Sequence, residues 1–119
     1  MTVYKTATCG CCSKWVDHLK AAGFAVKVEV VPDTGVYRKK LGVPERLASC
    51  HTGVIGAYSI EGHVPAGDIK RLIKEKPAGK GLAVPGMPMG SPGMEGPQPD
   101  AYATLLFDGE GHSSVYQKH

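Results

Sequence analysis

Apolar and polar positions recur along this chain with two periods, one of two residues and one near 3.6. Thr2-Val3-Tyr4-Lys5 is β-prone and breaks into Thr6 to Gly10, which reads as a strand followed by a loop. Trp15, Val16, Leu19 and Ala22 recur at i, i+1, i+4 and i+7, one apolar stripe on a helix from about Ser13 to Ala22 that Gly23 is suited to end. Phe24 to Val31 reads as a second strand, with Val26, Val28 and Val30 on one face and Lys27 and Glu29 on the other. Pro32-Asp33-Thr34-Gly35 is turn chemistry. Val36 to Leu41 then makes a short helix closed by Gly42, and Pro44 to Ser49 could add a helical turn. Val54 to Tyr58 and Ser59 to Val64 are expected as neighbouring antiparallel strands, although the turn between them is weakly signalled. Ala66, Ile69, Leu72 and Ile73 form the apolar face of a helix from Pro65 to Lys76, with Lys70, Arg71, Lys74 and Glu75 opposite and Pro77 as its stop. Gly79 to Pro99 is dense in proline and glycine and is expected to hold no regular element. Ala101 to Phe107 and Ser113 to Lys118, around Asp108-Gly109-Glu110-Gly111, read as a terminal hairpin.

The order up to Lys76, β-α-β-α-β-β-α, is similar to the thioredoxin fold. The expectation is therefore one α/β domain over residues 1–119: a thioredoxin-like central mixed sheet with flanking helices, a Gly/Pro/Met-rich loop at 79–99 and a C-terminal β-hairpin at 101–118. A right-handed β-α-β crossover carries the chemistry of such a domain at the start of its first helix. Composition changes this picture little. With 42% hydrophobic and 21% charged residues, the chain is an ordinary globular domain. At 119 residues it buries about two-thirds of its unfolded surface, so no disulfide or metal is needed for the core and the cysteines are free to have a function. The net charge of +3 is spread without long like-charge runs, which argues against nucleic acid as a partner. No apolar run approaches the roughly 18 residues of a membrane span. Met1-Thr2-Val3 leads straight into the first strand without a basic or apolar leader, so a cytosolic chain and a mature exported one are both open.

The chemistry gathers at Cys9-Gly10-Cys11-Cys12, which holds three of the four cysteines. Thiolates are both nucleophiles and soft-metal ligands, and a helix N-terminus favours them. Cys9 and Cys12 alone make a C-x-x-C pair suited to thiol-disulfide exchange, with Cys9 as nucleophile and Cys12 as resolving thiol. Cys11 fits coordination better, because a third thiol beside a working pair invites scrambling. In a thioredoxin-like order, the loop before the third strand faces this helix start, and redox members place a cis proline there. Here that loop reads Ser49-Cys50-His51-Thr52-Gly53, with a cysteine and no proline, so a four-thiolate site of Cys9, Cys11, Cys12 and Cys50 is expected. Structural zinc usually takes two separated C-x-x-C knuckles, a different spacing. Soft donors select Cu(I). Four thiolates carry −4, which one divalent ion leaves half uncompensated and several Cu(I) ions would balance, which points to a multinuclear cluster.

Met87, Met89 and Met94 have no helical period. They are either thioethers that capture copper or close over the site, or apolar pins that seat a glycine-rich loop. His51 is a ligand, a supporting donor or an ordinary loop histidine. Cys50 taken alone could be an ordinary buried cysteine. His18 is expected to be exposed, and His63, His112 and His119 are isolated. The sequence carries no phosphate-binding loop, zinc-protease helix or serine nucleophile elbow, so hydrolase and nucleotide-binding readings lack a carrier.

Cys9-Gly10-Cys11-Cys12, Leu47-Ala48-Ser49-Cys50-His51-Thr52, Glu61-Gly62-His63-Val64-Pro65 and Gly81-Leu82-Ala83-Val84-Pro85-Gly86-Met87-Pro88 together resemble the small copper-resistance family called CopG. The resemblance spans nearly the whole chain. It implies a thioredoxin-like periplasmic protein found with other copper-handling proteins, in which Cys9, Cys11, Cys12 and Cys50 bind copper in a cysteine-bridged cluster. It also implies activity as a copper oxidoreductase that shifts copper between Cu(I) and Cu(II). The family pattern includes a leader that Met1-Thr2-Val3 does not show, as a mature domain would not. The two remaining readings are a thiol-disulfide oxidoreductase and a domain stabilised by structural zinc.

Overall fold

A computed structural model describes residues 1–6, 10–43, 47, 51–85, 102–108 and 112–119, without the side chains of 10–12. The elements in chain order are β1 (Thr2–Lys5), α1 (Gly10–Ala21), β2 (Lys27–Val30), α2 (Thr34–Lys40), β3 (His51–Ile55), β4 (Tyr58–Glu61), α3 (Ala66–Glu75), β5 (Gly81–Ala83), β6 (Ala103–Phe107) and β7 (Ser113–Lys118). The strands form one seven-stranded mixed sheet in the order β2-β1-β3-β4-β5-β6-β7. The β1/β2 and β4/β5 pairs are parallel and the others antiparallel. The expected turn within Pro44–Ser49 falls largely outside the described residues.

The helix ends follow from single residues. In α1 the Phe24 amide reaches Leu19 O and the Gly23 amide reaches Lys20 O, a Schellman closure that needs the positive φ of +98° at Gly23. Helix α2 closes in the same way, with Val43 N on Arg38 O, Gly42 N on Lys39 O and φ +75° at Gly42. It begins earlier than the apolar pattern indicates, because Asp33 caps it by accepting from Gly35 N at 2.8 Å. Helix α3 lacks a side-chain cap of its own. Instead His18 Nε2 accepts from the amide of Ala66 at 3.1 Å, so His18 is half-buried rather than exposed.

Helices α1 and α3 cover one face of the sheet. There Trp15, Leu19, Ile69 and Leu72 pack on Val3, Ile60 and Leu82, all with no exposed surface. Each large apolar side chain so buried contributes about 1.5–3 kcal/mol. The other face carries α2 and a smaller cluster of Val43, Leu47, Ala83 and Phe107.

Four further expectations change. Val28 and Val30 are not a buried face but are 37% and 61% exposed, because β2 is an edge strand. Ile73 lies at the margin of the α3 stripe and is 41% exposed. The hairpin of β3 and β4 turns at Gly56-Ala57, with Ile55 paired to Tyr58 and φ +57° at Gly56, as a two-residue turn with glycine first requires. That turn falls inside the first of the two strands expected here, so β3 begins at His51.

The fourth change is β5, which lies inside the 79–99 stretch expected to be irregular. Gly81-Leu82-Ala83 precedes the first proline, and it is held by β4 on one side and β6 on the other. A Cβ at Gly81 would lie 1.8 Å from Ser59 O, so this parallel approach requires glycine.

Candidate metal centre

The register of the sheet brings the flanks of the two cysteine-bearing stretches to one end. Strand β1 leaves the sheet at Lys5 and α1 begins at Gly10, the residue after Cys9. Strand β3 enters at His51, the residue after Cys50, and Lys5 and His51 are Cα partners. Lys5 Nζ donates to Ser13 Oγ at 3.4 Å, tying the end of β1 to the second turn of α1. Cys11 and Cys12 belong to the first turn of α1, where no acidic side chain opposes a thiolate and the helix dipole favours one. Cys9, Cys50, Met87, Met89 and Met94 lie outside the described residues, as do the side chains of Cys11 and Cys12.

Beneath this end lies a buried trio of rings. The Trp15 and His51 centroids are 4.3 Å apart and those of His51 and His63 5.1 Å apart, with all three residues fully buried. The Trp15 indole donates to Val64 O at 2.9 Å. His51 Nε2 donates to Gly62 O at 2.9 Å, which sets the neutral ring as the Nε2–H tautomer. Burial first, and then the charge of His63, push the His51 pKa down to about 3, so the ring is neutral at physiological pH.

A linkage prediction follows. His51 takes up a proton at its ordinary 6.5 when unfolded and at about 3 when folded, so the unfolded state binds more protons in between. The His51 contribution to stability is therefore highest above pH 6.5 and falls by a few kcal/mol, on the order of 1.4 for each tenfold change in proton concentration, down to pH 3. Urea midpoints from pH 7 to pH 4 should fall less steeply in His51→Gln, which keeps a donor for Gly62 O and does not titrate there.

On the opposite face, Thr52 points toward α2. Its hydroxyl donates a short hydrogen bond to the fully buried carboxylate of Glu61, and Arg38 Nη1 stands 3.7 Å from the other Glu61 oxygen while donating to Thr34 Oγ1 at 2.9 Å. This network ties α2 to the residue after His51. Among the described residues, no group of three or more His, Cys, Asp or Glu side chains could hold a metal, and no helix is long and apolar enough to cross a membrane.

The family model described as a protein of unknown function, DUF411, matches residues 47–94. No curated protein matches the chain. Two solved structures of a copper resistance protein CopG, forms 1 and 2, share 47% identity with it and cover 99% of it. Their TM-scores are 0.93 and 0.92, with 94% and 95% of the solved chains covered. The chain belongs to the CopG family.

In this CopG-family chain the residues that sequence reasoning missed are Trp15 and His63 as neighbours of His51, and Arg38 and Glu61 as the anchor of Thr52. The hairpin carried the signal for His63. Once Gly56-Ala57 is taken as the turn, Thr52 falls opposite Glu61, and Gly62-His63 come beside His51. Arg38 and Glu61 carried no local signal, because each reads as a solvated charge until β1, β3 and β4 are placed side by side.

His112 and His119, isolated in sequence, each meet a carboxylate, Asp108 at 3.1 Å and Asp68 at 2.7 Å. Both lie on the hairpin of β6 and β7 or the helix behind it, and neither belongs to the ring trio.

Proposed function

We propose that this protein serves copper resistance by holding Cu(I) in a cage of Cys9, Cys11, Cys12 and Cys50 at the end of a thioredoxin-like sheet. The observation that carries the reading is the pairing of Lys5 with His51, which brings the flanks of both cysteine stretches together. The strand order β2-β1-β3-β4 with a parallel β1/β2 pair supports the thioredoxin-like part, and membership of the CopG family supports the metal. The donor set fits: soft thiolates suit Cu(I), and four of them balance several monovalent ions. Copper held there supplies one-electron chemistry, and a shift between Cu(I) and Cu(II) in the periplasm belongs to the same proposal. The chain itself contributes a helix N-terminus that stabilises thiolate charge and a neutral His51 packed on Trp15. Met87, Met89 and Met94 are the thioethers that would close over the cage.

The test is metal analysis of the purified protein, with Cu(I) titration after reduction. More than one copper per chain, with thiolate-to-copper absorption, is expected. A single zinc with no Cu(I) uptake would overturn the reading. Reduction of insulin disulfides that depends on Cys9 and Cys12 but not on Cys11 would establish thiol-disulfide exchange instead.

The ring trio offers a built-in reporter. Trp15 is the single tryptophan, three residues after Cys12 and packed against the residue after Cys50. Cu(I) loading is expected to quench its emission with the same stoichiometry as the absorption titration. Emission unchanged at saturating Cu(I) would place the metal away from this end of the sheet.

A further inference from the structure

Strand β2 ends the sheet, and among the described residues no strand pairs with its outer edge. Lys27 N donates to Met1 O at 2.9 Å and Val31 N to Lys5 O at 2.8 Å, so the odd-numbered residues turn their backbone to β1. By the alternation of a parallel ladder, Val28 and Val30 then turn their amides and carbonyls outward. Their side chains are 37% and 61% exposed on the α1 side, and Lys27 and Glu29 form an ion pair of 3.0 Å on the other. The remaining edge, β7, is different: Arg71 donates to Tyr116 O at 3.0 Å and lies over the Tyr116 ring, fastening that strand to α3.

We infer that β2 is a self-association edge, and that a second copy of this chain pairs with it antiparallel about a twofold axis centred on Val28. Charge selects that register. Only residues of the same parity can exchange ladder hydrogen bonds, so the neighbouring registers lie two residues away in pairing sum. One of them sets Lys27 against Lys27 of the second copy, and the other sets Glu29 against Glu29. The register centred on Val28 sets each Lys27 opposite the Glu29 of its neighbour, Val28 against Val28, and Val30 against Val26. Opposite charges directly across a strand pair stabilise it and like charges destabilise it. The axis is perpendicular to the sheet, so the two seven-stranded sheets continue as one and the exposed valines of both copies meet on the α1 side. The interface is isologous and closes on itself.

The test is sedimentation of the reduced, metal-free full chain over a wide concentration range. A monomer–dimer equilibrium is expected. Lys27→Glu and Glu29→Lys each set like charges opposite one another twice per dimer and should weaken association about tenfold or more. The double swap Lys27→Glu/Glu29→Lys restores complementarity and should return to within about threefold of the native strength. In the unmodified chain, amide exchange at Val28 and Val30 should slow as concentration rises. A monomer at millimolar concentration overturns the inference, as does a dimer weakened as much by the double swap as by either single change. Either result leaves the copper reading untouched.

Discussion

Cys50→Ser is expected to lower the number of Cu(I) ions bound per chain and to remove most of the thiolate-to-copper absorption, while the protein keeps its fold. A serine hydroxyl is close to thiol in size but is a hard, protonated donor that a soft monovalent ion does not prefer. Removing one of four thiolates also lowers the charge available to balance a cluster from −4 to −3. Losing a group that merely orients a ligand usually costs 10–100-fold in metal affinity, so loss of a ligand should exceed about 100-fold. Cys9→Ser, Cys11→Ser and Cys12→Ser should behave alike, and that equivalence distinguishes a cage from a redox pair. In thiol-disulfide exchange Cys9 and Cys12 would matter and Cys11 would not. An unchanged copper stoichiometry in Cys50→Ser would remove Cys50 from the site.

Arg38→Met is expected to destabilise the protein by about 3 kcal/mol, since it removes the guanidinium that faces a fully buried carboxylate. Methionine keeps much of the packing volume of the arginine stem, so the loss is mainly electrostatic. Thr52 still donates to Glu61 in that variant, which keeps the cost toward the lower end of the 3–5 kcal/mol usual for breaking a buried pair. Adding Glu61→Gln should recover a large part of the loss, because the amide can still accept from Thr52 and no longer brings a charge into the interior. Urea unfolding of the two single variants and the double variant closes the cycle. If Arg38→Met moves the midpoint no more than a surface substitution would, the pair is not a structural anchor of β3.

The parts of this fold that the sequence made legible are those decided within a few residues. The stripe of Trp15, Val16 and Leu19 marked α1, and Gly23 and Gly42 marked helix ends through backbone conformations that other residues adopt at a cost. What stayed hidden depends on partners distant in sequence. Val26, Val28 and Val30 alternate like a buried face, but whether that face is covered depends on the place of β2 at the end of the sheet. Strand β5 has three residues and becomes a strand because β4 and β6 flank it. The site divides in the same way. Clustered cysteines and a cysteine where a redox relative has proline suggested thiolate chemistry from sequence alone, whereas the packing of His51 between Trp15 and His63 required the β3/β4 register.

Strands β5 and β6 are antiparallel neighbours, with Ala83 the partner of Leu105. The chain between them therefore departs from and returns to nearly the same point on the sheet. The entropy of closing such an excursion grows only with the logarithm of its length, so doubling the segment costs about 0.6 kcal/mol. Selection can lengthen, shorten or re-equip residues 86–101 without disturbing the pairing that holds the domain together. Descendants of one ancestor can thus keep the sheet while this stretch changes in length and composition.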